Sequence, residues 1–309
     1  MITKDSLKDD FRNLGIKEGD TLFLRISYKA VGKIEGGPMV FLEALHEVIG
    51  EEGTIILTAF PKKYIRQLRF FHKKEVYSYE NPPKPTTGVM PVMAMSYPGA
   101  RMSKKMECSF VVLGKHSKYL TEQHTHDKSD YWLLETATRE LNSKCLRIGG
   151  KKFTGTTHIA FSRALEKTNN YQRVPYKGLY LKDYNKIEWN DSIHSTFCPD
   201  AFFSMCDKYL WPNIKFNKGK VGEGEAILTD MNETLAAEEE YISNNVSIML
   251  CDNKDCYICR TTYSFSDSNL FKYLVYQVKS LLLSRKDKKT IIRKIKIAVA
   301  YKIFGSKTV

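Results

Sequence analysis

The sequence LGIKEGDTLFLRISYKAVGKIEGGPMVFLEALHEVIGEEGTIILTAF, residues 14–60, decides the fold. Thr21–Ile26 and Thr54–Thr58 are short runs of apolar and β-branched residues, which is typical of buried strands. Between them, Met39–Ile49 repeats apolar residues at helical spacing and ends at Gly50. A strand, a helix and a second strand in this order predict an α/β layer architecture.

Later segments continue the same alternation. The patterns predict short buried strands at 110–113 and 145–148, helices at 158–167 and 233–243, and a strand at 220–227. We therefore expect an α/β fold with a three-layer αβα arrangement around a mixed central sheet. The simplest division is one domain over residues 1–263 followed by a helical tail over residues 264–309.

Composition places the chain among ordinary globular proteins, with 42% hydrophobic and 27% charged residues over 309 positions. Met1–Arg12 is polar and does not resemble a signal peptide. No stretch has the roughly 20 apolar residues that a membrane-spanning helix needs. The seven cysteines are odd in number, which favours free thiols over a disulfide framework. These features predict a cytoplasmic protein.

The net charge of +13 is concentrated in the tail. Lys279–Val309 holds ten Lys or Arg and one acid, so the rest of the chain carries only +4. This uneven charge argues against a nucleic-acid binder. In the tail, Ile291, Ile295 and Val299 fall on one helical face and most of the basic residues on the other. Such a basic amphipathic helix fits the surface of an anionic membrane at the inner face, and the alternative is a terminal helix packed on the domain.

Several motifs occur in a fixed order along the chain. They are Leu14-Gly15, Gly19-Asp20, Val31-Gly32, Gly36-Gly37, Gly53-Thr54, Thr87-Gly88, Ser109-Phe110, Gly149-Gly150 and Thr156-Thr157-His158. Together they resemble the aminoglycoside 3-N-acetyltransferase family over roughly residues 14–178. The resemblance implies that residues 1–263 form an acyltransferase-like catalytic domain. It also implies a coenzyme A-dependent N-acyltransferase, with acetyl-CoA or another acyl-CoA as co-substrate and an amine-bearing sugar as acceptor.

The resemblance also implies roles for individual residues. His158 matches the catalytic histidine of the family, and an imidazole with a pKa near neutrality suits a base that deprotonates an amine. The cofactor-binding candidates for coenzyme A are Ser27, Gly32, Gly36, Gly37 and Thr157. Backbone N–H groups at a Gly-rich turn before a helix bind phosphate oxygens, although a plain tight turn needs the same glycines.

The substrate-pocket candidates are His124, His126 and Asp127. The spacing of the two histidines would also allow a metal ligand pair on a strand, but a pocket role is the better interpretation, and we expect no metal in the active site. Cys251, Cys256 and Cys259 could hold zinc with a fourth ligand such as Cys206. Three clustered cysteines are weak evidence, because structural zinc needs four ligands.

The sequence departs from the family pattern at three places. The family carboxylate three residues after the histidine is Phe161 here, so another acid would have to orient His158. Candidates are Asp127, Glu107 and Glu166. The family's first strand often ends in His-Ser-Ser, where this chain reads Arg25-Ile26-Ser27. The histidine and proline before the family's Ser-Phe strand are replaced by Lys105 and Met106. The alternative hypothesis is therefore a catalytically impaired member that acts as a binding or scaffold module.

The charge balance bears on the acceptor. A site for polycationic aminoglycosides should be lined by acids, whereas this chain is basic even without its tail. We therefore expect a neutral or anionic acceptor, such as a nucleotide-linked amino sugar or a related precursor of polysaccharide biosynthesis.

Overall fold

The computed structural model describes residues 1–60, 76–77, 82, 84–105, 108–125, 127–150, 154–167, 180–181, 199–245, 248, 250–253, 275, 278 and 292. The helices are α1 (Lys4–Leu14), α2 (Tyr28–Val31), α3 (Pro38–Ile49), α4 (Val89–Met95), α5 (Ser117–Gln123), α6 (Trp132–Leu141), α7 (Thr157–Lys167), α8 (Pro199–Met205) and α9 (Met231–Asn244). A π-helical turn, Cys206–Leu210, continues α8.

The strands are β1 (Thr21–Ile26), β2 (Thr54–Thr58), β3 (Val76–Tyr77), β4 (Arg101–Met102), β5 (Phe110–Gly114), β6 (Lys144–Ile148), β7 (Tyr180–Leu181), β8 (Asn217–Val221) and β9 (Gly224–Asp230). In the described part of the chain, seven of them form one sheet in the order β4-β5-β2-β1-β6-β9-β8, while β3 and β7 pair separately. β1 is parallel to both β2 and β6, and the remaining pairs of the large sheet are antiparallel. The prediction of a mixed central sheet is confirmed.

Alternation along β1 divides the protein into layers, because successive strand side chains point to opposite faces. Leu22 and Leu24 pack with α1, α3 and α4 on one face of the sheet. Phe23 packs on the other face with α5, α6, α7, α8 and α9. This is the three-layer αβα arrangement that the sequence predicts. The face of the sheet that carries Phe23 is called the α7 face below.

The prediction of one strand over residues 220–227 is wrong. The chain makes a hairpin there, in which Val221 of β8 pairs with Gly224 of β9. Gly222, in the two-residue connection, has a φ of +59°, and a Cβ there would lie 2.4 Å from the carbonyl oxygen of Val31. A glycine is required by both the turn and this close approach.

The boundary at residue 263 and nearly the whole tail lie outside the described residues. Only Val275, Val278 and Ile292 are described in that segment, and each is exposed. Among the described helices, none has the length and apolar character required to span a bilayer.

Candidate active site

The site lies where the carboxyl ends of the parallel strands meet. β1 has β2 on one side and β6 on the other, and the chain leaves all three at the same edge of the sheet. α3, between β1 and β2, packs on one face, whereas α5 and α6, before β6, pack on the other. The strand order thus reverses beside β1, and open α/β sheets bind ligands in the crevice at such a point.

His158 lies on the α7 face at this edge. It is the second residue of α7 and follows a fully buried turn at Thr154–Thr157, while its own ring is partly buried. The positive end of the helix dipole disfavours protonation of an imidazole in the first turn. The position therefore suits a histidine that must stay neutral and accept a proton.

Tyr131 forms one wall of the histidine site. Its ring stacks on that of His158 with centroids 4.3 Å apart and planes 5° from parallel. Phe60, which follows β2, and Phe110 of β5 make edge contacts with Tyr131 at 6.4 and 6.5 Å. Burial raises the pKa of Tyr131 well above its usual value, with smaller contributions from Cys108 and Asp130, so its phenol stays protonated. The stack fixes the plane of the imidazole.

Two arginines end the central strands on the same face. Arg25 of β1 and Arg147 of β6 are partners in register, two residues beyond the Phe23–Cys145 pair of the α7 face. The guanidinium carbon of Arg25 lies 5.9 Å from the centre of the Phe23 ring. Burial lowers the pKa of both arginines, but a guanidinium remains cationic at neutral pH. The carboxyl ends of β1 and β6 thus carry positive charge on the face of the sheet that holds His158.

Arg147 also shapes the turn after β6. Its Nη1 donates to the carbonyl oxygens of Gly149 and Gly150 at 2.9 and 3.2 Å. Both glycines have positive φ, and a Cβ on Gly149 would lie 2.5 Å from Ala30 and 3.3 Å from Ser27. The turns that follow β1 and β6 therefore touch each other at the edge of the sheet.

The glycine-rich bend proposed for coenzyme A follows β1. Ser27 is exposed and its hydroxyl does not cap α2. Gly36 and Gly37 both have positive φ, and Gly37, the N-cap of α3, has open space where a Cβ would stand. Gly32 differs, because the Glu223 carboxylate lies 2.7 Å from the position of a Cβ there. An anionic group beside Gly32 disfavours phosphate at that point, so Ser27 and Gly37 are the stronger predictions.

Thr157 faces the interior. It is fully buried, and its hydroxyl donates to Glu238 Oε1 at 2.6 Å. Its contact with coenzyme A stays a prediction, and in this structure its side chain takes part in the packing between α7 and α9.

The three substrate candidates are dispersed. His124 is fully buried, with its ring stacked over Trp132 at 6.3 Å and its Nε2 3.3 Å from the carbonyl oxygen of Ser129. Asp127 is exposed and bonds to Thr125, and this hydrogen bond lowers its pKa. His126 lies outside the described residues. Their substrate roles stay predictions, and contact with His124 would require its aromatic surroundings to open.

Two of the departures from the family pattern are buried side chains, and Met106 lies outside the described residues. Phe161 is fully buried in the core of the α7 face. Lys105 is also buried, and its Nζ donates to the carbonyl oxygen of Lys128 at 2.9 Å and lies 3.4 Å from Asp130 Oδ1. A buried lysine held in this way fixes the loop that leads to Tyr131.

The acid that orients His158 is not identified among the three candidates. Asp127 is turned towards Thr125 and Lys128. Glu107 and the side chain of Glu166 lie outside the described part of the chain.

The cysteines give no metal centre within the described residues, where no group of three or more His, Cys, Asp or Glu could hold an ion. Cys206 is a free thiol, and Cys251 is buried. Burial raises the pKa of the Cys206 thiol to about 12. Cys256 and Cys259 lie outside the described range, so the zinc hypothesis stays a prediction.

Sequence reasoning missed two residues of the site. Tyr131 carried no signal, because only the fold brings it to His158. Glu238 did carry a signal in the sequence. It lies three residues after Leu235 and four before Ile242, on the apolar stripe of α9. A carboxylate on an apolar stripe marks a group that is buried for a reason.

Comparison with known proteins agrees with this architecture. The family model for aminoglycoside 3-N-acetyltransferase matches residues 23–243. Aminoglycoside N(3)-acetyltransferase III of Pseudomonas aeruginosa is 34% identical over 243 residues, covering 73% of this chain and 88% of the relative. The prophage-derived acetyltransferase-like protein YokD of Bacillus subtilis is 25% identical over 262 residues, covering 79% and 94%. The solved structure of AAC-IIIb with CoASH has a TM-score of 0.62 at 20% identity, covering 78% and 96%.

Proposed function

Because this chain belongs to the aminoglycoside 3-N-acetyltransferase family and is thus a coenzyme A-dependent N-acyltransferase, we propose that it acetylates the amine of a neutral or anionic amino sugar. The acceptor class we favour is a nucleotide-linked amino sugar or a related glycan precursor. The observation that supports this choice is Arg25, a cation at the carboxyl end of β1 on the face that carries His158.

The reaction assigns a simple role to His158. Its neutral imidazole takes a proton as the amine attacks the thioester carbonyl carbon, a tetrahedral intermediate forms, and the coenzyme A thiolate leaves as the carbonyl is restored. The Tyr131 stack holds the ring plane, and the first turn of α7 places the imidazole near the positive end of the helix dipole. Ser27 and the bend at Gly37 are the groups we propose for the coenzyme A side.

The acids of this region support the choice of acceptor. Asp130 faces Lys105, and Glu238 is fully buried. Glu135 accepts hydrogen bonds from Arg139 and Arg163, and one nitrogen of Arg163 contacts both carboxylate oxygens at 2.8 Å. An exposed carboxylate does occur at Asp127, which already contacts Lys128. A polycationic drug gains little from acids that are buried or paired.

The test measures release of free thiol from acetyl-CoA with the wild-type chain and His158→Ala. Nucleotide-linked amino sugars and aminoglycosides are compared as acceptors at equal concentration. Thiol release that needs both His158 and a sugar nucleotide supports the proposal. A preference for aminoglycosides refutes the acceptor, and acetyl-CoA binding without transfer to any amine supports the impaired-member alternative, for which the buried Phe161 is the argument.

We also propose peripheral membrane contact through the tail. Its support is the +9 charge of residues 279–309 and the exposed apolar side chains at Val275, Val278 and Ile292. Cosedimentation with vesicles of one-third phosphatidylserine, and none with neutral vesicles, is the expected result. Equal binding to both, or to neither, would contradict it.

A further inference from the structure

α9 carries one carboxyl group into the interior. Glu238 is fully buried on the side of α9 that holds Met231, Leu235 and Ile242. Within the described residues it makes no salt bridge, so no cation offsets the desolvation of its carboxylate. An ionisable group in such a place is unfavourable for folding unless hydrogen bonds compensate.

Among the residues that the structure describes, the hydrogen bonds of Glu238 all run to the turn before His158. Glu238 Oε1 accepts from the hydroxyls of Thr157 at 2.6 Å and Thr154 at 2.9 Å. Thr156 donates to the Thr154 hydroxyl at 3.1 Å, so three hydroxyls of one turn form a single network on one carboxyl oxygen. The other oxygen, Oε2, has no hydrogen-bond partner in the described part of the protein.

This network fixes the first turn of α7. Thr157 is the first residue of the helix and His158 the second, so a displacement of Thr157 moves the imidazole directly. The same histidine must stay on the Tyr131 ring at 4.3 Å. Phe161 leaves the next turn of α7 without a carboxylate that could orient the ring.

We infer that Glu238 is a positioning residue for the acyl transfer: through Thr154 and Thr157 it holds the start of α7 so that His158 stays stacked on Tyr131. The inference rests on the proposed role of His158 as the base. It assigns Glu238 no contact with substrate, so its removal is expected to change kcat and leave KM for both substrates unchanged.

The experiment compares four variants at a temperature where each is folded. Glu238→Ala removes the acceptor oxygen, and Glu238→Gln keeps one. Glu239→Gln changes the neighbouring, more exposed carboxylate that pairs with Arg139. Leu235→Ala is the matched control for lost stability, because it truncates a buried residue of the same helix.

We expect Glu238→Ala to lower kcat by about a hundredfold, the effect of displacing a catalytic group by about 1 Å. Glu238→Gln should restore kcat to within about threefold at pH 7, and Glu239→Gln and Leu235→Ala should keep wild-type kcat per folded molecule. Wild-type kcat in Glu238→Ala would overturn the inference. So would a loss in Leu235→Ala equal to that in Glu238→Ala, since the effect would then be one of stability.

If Glu238→Ala does not fold, Thr157→Val is the second variant, because it removes the donor hydroxyl and keeps the β-branched shape. It should show the same loss of kcat, and wild-type kcat would count against the network. An NMR titration of the His158 ring, assigned by comparison with His158→Ala, separates the two proposals. Absence of thiol release from the wild type refutes the proposed function, while a His158 resonance unchanged in Glu238→Ala refutes the positioning role.

Discussion

Replacing Glu238 by Gln should remove a pH dependence from the stability of the protein. Burial raises the pKa of Glu238 from 4.5 to about 7, and the threonine hydrogen bonds only partly oppose this rise. The folded state therefore holds a proton that the unfolded state has released between these two pH values. The contribution of Glu238 to stability is therefore greatest below pH 4.5, and it falls as the pH rises towards 7.

The size of the effect follows from the two pKa values. One pKa unit corresponds to about 1.4 kcal/mol, so the full loss for this group is about 3 kcal/mol, of which about 2 to 3 kcal/mol falls between pH 5 and pH 8. Such a difference is a sizeable part of the free energy of unfolding of a typical domain.

The assay is urea unfolding of the wild type, Glu238→Gln and Glu239→Gln at several pH values from 5 to 8. The stability of the wild type relative to Glu238→Gln should fall by about 2 to 3 kcal/mol across this range, whereas Glu239→Gln should follow the wild type. A difference between wild type and Glu238→Gln that is the same at every pH would refute the reasoning. Glu238 would then be ionised throughout, despite its burial.

Three further predictions concern the reaction itself. His158→Ala should lower kcat by about a hundredfold or more, the usual contribution of a general base, and an unchanged rate of thiol release would contradict that role. Tyr131→Phe should keep near-wild-type kcat because the ring stack survives, whereas Tyr131→Ala should lower kcat. An equal kcat for these two variants in steady-state assays would show that the stack does not contribute to catalysis. Gly37→Ala should raise KM for acetyl-CoA, since its φ of +83° strains any side chain by about 1 kcal/mol, and an unaltered KM would argue against the bend as the coenzyme A site.

Much of the fold could be predicted because its elements have clear periodicity. β1 and β2 begin and end where the apolar runs predict, and α3 differs only by including Pro38 at its start. The β8–β9 hairpin was missed because its connection, Gly222-Glu223, interrupts the polar and apolar pattern too briefly. Short two-residue turns of this kind are decided by contacts such as that of Gly222 with Val31, which sequence does not reveal.

The candidate site was predictable only in part. His158 could be identified from its motif, but its partners come from distant segments. Tyr131 precedes it by 27 positions and Glu238 follows it by 80, and nothing local links either one to the histidine. The predicted ligand role of Thr157 did not anticipate its burial, because a threonine at a helix start looks the same in sequence whether its hydroxyl faces solvent or the core.

The contact of Gly149 with Ser27 and Ala30 has a consequence for how this enzyme could diversify. With no room for a side chain between the turns after β1 and β6, neither turn can be reshaped without displacing the other. Changes in acceptor preference should therefore arise from paired substitutions in both segments. An exchange of one turn alone between relatives should give misfolded or inactive hybrids.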